Sequence, residues 1–386
     1  LWLQLVIETD LAPAELKFRP LLPNLSFKVR PGDSLVQEVG GINLALRQGS
    51  RLIPPSVIVS ITQLKGEKLK FYNNDPQRKY RTAEALQQAE LQLFRDILDA
   101  RAKAIDERLK EIANALRPQV NLFGEVQTTQ IGLDRITLER ERDRLQTERE
   151  QVARARQALE AAESVPFVWD IAFVEVFEGK SGGFDIVIGN PPYVRQELAR
   201  DPQAPADQVT TASKKAYKAK LARSVYTAWP RTFGYDWVKD KPKWKLSAKS
   251  DLYIYFYFHG LSLLNDKGAF CFITSNSWLD VGYGKGLQEF LLTRGQVKLV
   301  LDNQVRRSFA SADVNTVIVL LGPARDTKTT RSARLEHLAR FAMLTVPFEQ
   351  VLSPVIWEEV EEATTRRTTP ENRVFPLKQA KLLESG

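Results

Sequence analysis

The chain has 386 residues, 43% of them apolar and 26% charged, with a formal net charge of +8. This is a globular composition, long enough for two or three domains with full cores, and it excludes general disorder. One cysteine, Cys271, and two histidines, His259 and His337, exclude a disulfide framework or thiolate metal cluster and argue against a zinc site.

No apolar run approaches the roughly 20 residues needed to span a bilayer, and no signal peptide opens the chain, so the expected compartment is the cytoplasm, with no membrane partner. The first residue is Leu1, inside an apolar helical phrase from Leu1 to Ile7, as expected of a chain whose true beginning lies upstream. Pro20 to Pro23 lead into Leu25 to Arg30, whose alternation predicts a short strand, followed by Gly32-Asp33-Ser34-Leu35. An acidic residue at a strand's carboxyl end is well placed to accept hydrogen bonds from a ribose hydroxyl or an adenine amine. Gly-Asp-Ser is also an ordinary turn sequence.

Residues 36 to 83 carry little functional signal. At Glu84 the composition changes: Leu86, Leu93, Ile97, Ala100, Ala104, Ile105, Leu109, Ile112 and Leu116 recur at helical spacing among Ala, Gln, Glu, Arg and Lys. Arg117-Pro118, Phe123-Gly124 and Gly132 break the pattern, and helix resumes from about Leu133 to Glu163. Two helices joined this way predict an antiparallel hairpin projecting from a sheet domain. Its mixed charges indicate a solvated arm rather than a nucleic-acid grip.

The most informative stretch is Gly183 to Val194, GFDIVIGNPPYV. Phe184 to Ile188 read as a buried strand, and Gly189, Asn190, Pro191 and Pro192 forbid either strand or helix from continuing. A rigid polar turn therefore sits at a strand's carboxyl end, where ligands bind in open α/β sheets. The Asn190 side chain and the Pro191 carbonyl suit the two hydrogens of a planar amine, with the Tyr193 ring stacking on the group that carries it. The plainer alternative is a strand-ending turn with a surface tyrosine.

Asn190-Pro191-Pro192-Tyr193 resembles the catalytic motif of amino-group methyltransferases that use S-adenosylmethionine, above all the DNA adenine-N6 enzymes. Phe167, Trp169, Phe173, Glu175, Val176 and Phe177, followed by Gly182-Gly183-Phe184-Asp185, are similar to the approach to this motif in large adenine methyltransferases of the type IIG restriction-modification and phage-defence kind. The resemblance implies an α/β fold with a Rossmann-like methyltransferase sheet, its amino-terminal part and cofactor loop lying before Leu1. It implies that Asp33 contacts the cofactor's adenine. Phe256, in the phrase beginning Asp251-Leu252-Tyr253, is implied to pack on that adenine, core packing being the alternative. Phe309 matches a position that packs against the extruded base.

Between Val194 and Ser250 there are 13 Lys or Arg against five Asp or Glu, a surplus equal to the whole chain's +8. Interleaved are Tyr217, Tyr226, Trp229, Phe233, Tyr235, Trp237 and Trp244, a composition that fits a nucleic-acid surface, a solvated loop with a few packed aromatics being the plainer alternative. Lys214, Lys215, Lys218 and Lys220 are the candidate phosphate contacts. Ser250 to Leu264 then reads as an aromatic helix, Asn265 to Gly268 as a turn, and Ala269 to Thr274 as a strand. Leu279 to Gly286 imitates a glycine-rich cofactor loop, which would imply a permuted order. Against this, the preceding strand ends near Thr274, whereas the first glycine of such a loop must leave its strand directly. Val297 to Leu301 and Val314 to Leu321 complete the strand set.

The expected organisation is a partial Rossmann-like core over 1–83, a helical hairpin insertion over 84–163, a catalytic core over 164–325 with a basic DNA-facing segment over 194–250, and the start of a target-recognition region over 326–386. The expected activity is methyl transfer from S-adenosylmethionine to N6 of a flipped adenine in double-stranded DNA, with other defence-system subunits as further partners. Amino-methylation of RNA or of a protein glutamine, and an inactive DNA-binding fragment, are the alternatives.

Overall fold

The computed structural model describes residues 27–385 apart from 40, 45–54, 118, 121–125, 128–132, 162–164, 179–181, 238, 304–314, 328–329, 348–349 and 352. It divides into two compact units, Leu1–Glu178 and Gly179–Gly386.

The first unit is helical: α1 (Pro55–Tyr72), α2 (Ala83–Ala115), α3 (Leu133–Ala161) and the short α4 (Trp169–Ala172) and α5 (Val174–Phe177). Helix α2 starts where Thr82 caps it, the hydroxyl oxygen accepting from the Ala85 amide at 3.2 Å. Its buried residues Leu86, Glu90, Leu93, Phe94, Leu98, Ile105 and Ile112 form one stripe, which meets Leu145, Val152, Ala155 and Leu159 of α3. Arg156 reaches Asp99 at 3.1 Å, Arg101 reaches Glu148 at 2.7 Å and Arg108 reaches Glu141 at 3.0 Å, so the two helices run antiparallel. These pairs are partly solvated and contribute about 0–1 kcal/mol each; the apolar stripe holds the register.

A buried charge cluster ties this unit together. Lys68 of α1 and Glu90 of α2 pair at 2.5 Å with both side chains wholly excluded from water, and Arg30 pairs with the same carboxylate. The Lys68 ammonium also donates to the carbonyls of Ile171 at 2.9 Å and Ala172 at 2.7 Å, satisfying the protons that burial would otherwise strand. The strand expected over Leu25 to Arg30 is not formed where it is described: residues 27–30 are a turn, with Phe27 at φ 77°. A strand would put Phe27 and Val29 on one face. Here Phe27 is buried and Val29 is 89% exposed.

The second unit is built on one mixed sheet. Its elements are β1 (Phe184–Gly189), α6 (Thr211–Ala228), α7 (Leu252–Ser262), β2 (Leu264–Ser275), α8 (Lys285–Arg294), β3 (Gln296–Asn303), β4 (Thr316–Gly322), β5 (Leu338–Leu344), α9 (Pro354–Glu362), β6 (Arg367–Thr368) and β7 (Asn372–Lys378). The strand order is β6-β7-β5-β3-β4-β2-β1. β1 runs parallel to β2, and β3 parallel to β5; β4 lies between β2 and β3 and is antiparallel to both. This is the α/β, Rossmann-like sheet expected, with β1 at one edge.

Helix α7 is apolar on nearly every side because it is buried: Tyr253, Ile254, Tyr255, Tyr257, Phe258 and Leu261 are all covered. Gly183 enters β1 at φ +146°, and a Cβ there would lie 2.5 Å from the Asn265 amide nitrogen, so only glycine fits. Residues 265–268, expected to be a turn before a strand, lie inside β2 as an irregularity in its register with β1. Strands β5, β6 and β7, from the stretch assigned to the start of a separate region, belong to this same sheet. Among the described residues no helix is long and apolar enough to cross a membrane.

Candidate active site

Strand β1 ends at Gly189, opposite Phe272 of β2. The chain then leaves the ladder at once, because neither Pro191 nor Pro192 has an N–H to continue it. Pro191 is buried, Pro192 and Asn190 are exposed, and Tyr193 is half-buried. The Val194 amide donates to the Pro192 carbonyl at 2.9 Å, closing a tight turn. The Tyr193 hydroxyl donates to the Ile273 carbonyl on β2 at 3.2 Å, and burial holds the phenol above its ordinary pKa, so it stays a neutral donor. Behind it lies Tyr257, fully buried, with its hydroxyl 2.9 Å from that of Thr274. Among the described residues, neither the Asn190 side chain nor the Pro191 carbonyl makes a hydrogen bond. The turn thus presents one amide and one carbonyl, uncommitted, next to an aromatic ring whose hydroxyl end is tied to the sheet.

The exit of the turn is held more tightly. The Val194 carbonyl accepts from the Leu252 amide at 3.0 Å, and the Gln196 amide donates to Asp251 Oδ1 at 3.0 Å. Asp251 Oδ2 accepts from the Tyr283 hydroxyl at 3.0 Å, and Tyr283 lies 2.9 Å from the Tyr253 hydroxyl. From α6, Lys218 Nζ donates to Gln196 Oε1 at 2.5 Å and to the Ala248 carbonyl at 3.0 Å, while Lys214 Nζ reaches the Glu197 carbonyl at 3.4 Å.

The four lysines singled out for phosphate contact therefore divide. Lys214 and Lys218, four residues apart on one helix face, bind the loop behind the Asn190–Tyr193 turn, whereas Lys215 is exposed and Lys220 half-buried. The interleaved aromatics divide too. Tyr217, Tyr226, Trp229, Phe233 and Tyr235 are core residues, and Trp237 and Trp244 are the exposed pair at 39% and 60%. Phe256 is half-buried on α7. In the first unit, Asp33 Oδ1 accepts from the amides of Leu35 at 2.9 Å and Val36 at 3.2 Å, which is the turn geometry of its Gly-Asp-Ser setting. Phe309 lies outside the described residues.

Leu279 to Gly286 does not leave β2 directly: a helical turn over Ser277–Asp280 intervenes. A Cβ at Gly284 would sit 1.9 Å from the Trp278 carbonyl oxygen, so this glycine serves close approach of the chain to itself. The contacts of Asp251 and Lys218 with Gln196, just beyond the turn, and of Tyr283 with Asp251 are absent from the sequence reading. They join positions up to 55 residues apart that share no spacing signal.

The profile of the Eco57I restriction-modification methylase family matches residues 62–228 and 234–309, most of the chain. The chain belongs to that family. A type II methyltransferase, M.BstVI of Geobacillus stearothermophilus, is 31% identical over 119 residues, which make up 31% of this chain and 16% of that protein. Among solved structures, the type IIG restriction endonuclease BpuSI is similar at 13% identity with a TM-score of 0.36, over 88% of this chain and 42% of that one. A type I restriction-modification methyltransferase subunit from Streptococcus thermophilus is similar at 16% identity and a TM-score of 0.31, over 64% of this chain and 50% of that one. The chain thus spans half or less of the length of these relatives.

Proposed function

We propose that this chain carries the catalytic site of an adenine-specific DNA methyltransferase, transferring a methyl group from S-adenosylmethionine to N6 of an adenine in double-stranded DNA, within a restriction-modification or phage-defence system. The observation that carries the reading is the uncommitted pair of the Asn190 amide and the Pro191 carbonyl beside the anchored Tyr193 ring. The adenine leaves the duplex, since its amine is out of reach within the stack. Asn190 and the Pro191 carbonyl then accept the two amine hydrogens, which turns the nitrogen lone pair toward the incoming methyl group. Tyr193 and Phe309 stack on the two faces of the base.

S-adenosylmethionine, when bound, supplies a methyl group already activated by cationic sulfur. Two features of this chain fit it. The Asp33 carboxylate is fixed by two amides of its own turn, as an acceptor for a ribose hydroxyl or adenine amine must be. Phe256 keeps part of its ring open on a helix whose neighbouring rings are buried. No side-chain nucleophile is required, and positioning supplies most of the rate.

The test is Asn190→Ala, assayed with labelled S-adenosylmethionine on duplex DNA, RNA and protein substrates. Methylation of duplex DNA at adenine N6, abolished in the variant while DNA affinity stays nearly intact, is the expected result. Retained activity sinks the mechanism, and transfer to RNA or protein glutamine instead of DNA sinks the substrate assignment.

A further inference from the structure

We propose that Asp251 and Tyr283 are positioning residues that clamp the exit of the Asn190–Tyr193 turn and so hold its amine-accepting atoms in register; this rests on the methyltransferase reading above. Asp251 stands at the N-cap of α7, where an aspartate ordinarily accepts from its own helix's amides, yet its side chain makes no such bond. Both carboxylate oxygens are directed elsewhere. Oδ1 takes the Gln196 amide at 3.0 Å and Oδ2 takes the Tyr283 hydroxyl at 3.0 Å. With the Leu252 amide on the Val194 carbonyl at 3.0 Å, the start of α7 grips the exit segment at two points two residues apart.

The tyrosines continue the chain of bonds. Because Tyr283 gives its proton to the carboxylate, Tyr253 is the donor in the 2.9 Å contact between the two hydroxyls. Tyr283 comes from the Tyr-Gly phrase that imitates a cofactor loop, and the need for glycine at 284 reflects how tightly that phrase folds against Trp278. The phrase thus has work to do without touching a cofactor: it presents one hydroxyl to Asp251.

The turn needs such a support. Its entry is fixed by the β1–β2 ladder, but the Asn190 side chain has no hydrogen bond among the described residues and Tyr193 is tied at its hydroxyl to Ile273. If the exit shifts, the two acceptors shift relative to each other, and a displacement of about 1 Å costs about 100-fold in rate.

The experiment uses the full chain with Asp251→Ala, Asp251→Asn and Tyr283→Phe, measuring amide hydrogen exchange at residues 194–196, the melting midpoint, and kcat and KM on duplex DNA. Asp251→Ala should speed exchange at Gln196 by more than about ten-fold and lower kcat by about 100-fold with KM unchanged. Tyr283→Phe, which removes one hydroxyl and leaves folding intact, should change both quantities in the same direction by less. Asp251→Asn keeps an oxygen for Gln196 and should restore most of both. Unchanged exchange at Gln196 in Asp251→Ala and Tyr283→Phe overturns the clamp whatever the activity. Faster exchange with unchanged kcat, or a loss confined to KM, overturns its positioning role. If the unsubstituted chain methylates no DNA, the methyltransferase reading falls and takes the catalytic part of the proposal with it, while the exchange data still decide the clamp.

Discussion

The Tyr193 hydroxyl donates to the Ile273 carbonyl, 80 residues away on the strand beside the one that carries the turn. The phenol's polar end is therefore committed to the sheet, and in the proposed mechanism the ring stacks on the base. Tyr193→Phe should lower kcat only a few-fold, since one hydrogen bond of about 1 kcal/mol is lost while the stacking surface stays. Tyr193→Ala should lower kcat/KM by about ten-fold or more, the worth of base–aromatic stacking. Single-turnover methylation of one duplex by the two variants separates these outcomes.

Lys215 and Lys218 sit three residues apart on α6 with different duties. Lys215 is exposed, so Lys215→Ala should reduce the slope of log affinity against log salt by about 0.9, one phosphate contact. Lys218 is engaged with Gln196 and Ala248, so Lys218→Ala should act mainly on kcat. Fluorescence anisotropy across a salt series, with turnover in parallel, checks both.

Removing Glu90 leaves Lys68 and Arg30 buried without their carboxylate. Glu90→Ala should cost about 3–5 kcal/mol, the penalty of an uncompensated buried charge. Replacing Lys68 and Glu90 together by Met and Leu should cost less than the single change, because Arg30 alone, rather than Lys68 and Arg30 together, is then left without the carboxylate. Urea unfolding followed by far-UV circular dichroism measures this.

His337 supplies a pH dependence. Burial pushes its pKa below the ordinary 6.5, the nearby Arg340, Arg334 and Lys298 act the same way, and a hydrogen bond with the Val297 backbone opposes them. Between the lowered folded value and the unfolded one the unfolded chain binds more protons, so stability falls as pH drops below about 6.5. The urea midpoint of the unsubstituted chain should fall between pH 7.5 and 5.5, and His337→Gln should fall less over that range.

The turn after β1 was legible because an apolar run halted by Gly189, Asn190 and two prolines permits little else. The long helices were legible from spacing alone: Leu86 to Leu116 predicts helix over nearly the span that α2 occupies. What escaped was set by tertiary context. The aromatics between 217 and 235 read as stacking platforms, but Tyr217, Trp229 and Phe233 fill the core, Trp229 donating its indole N–H to the Phe258 carbonyl at 2.9 Å. Strand β7 contains Pro376, which speaks against a strand inside a sheet, yet it pairs with β5 along its whole length. Phe27 took a left-handed backbone that no alternation pattern announces for a bulky residue.

The order of the sheet has a consequence for how the chain comes to life on the ribosome. β1 emerges early, but its partner β2 begins 80 residues after Phe184, and β2's other neighbour, β4, comes later still. At about 5–20 residues per second, the strand that carries the Asn190–Tyr193 turn waits on the order of 10 s for its first neighbour. Ile186 and Ile188, 67% and 77% exposed even in the folded chain, are bare throughout that interval. The turn after β1 thus stands without its sheet neighbour while residues 190 to 264 are made, and slowing translation over that stretch should lower the yield of active protein before it alters the protein's final stability.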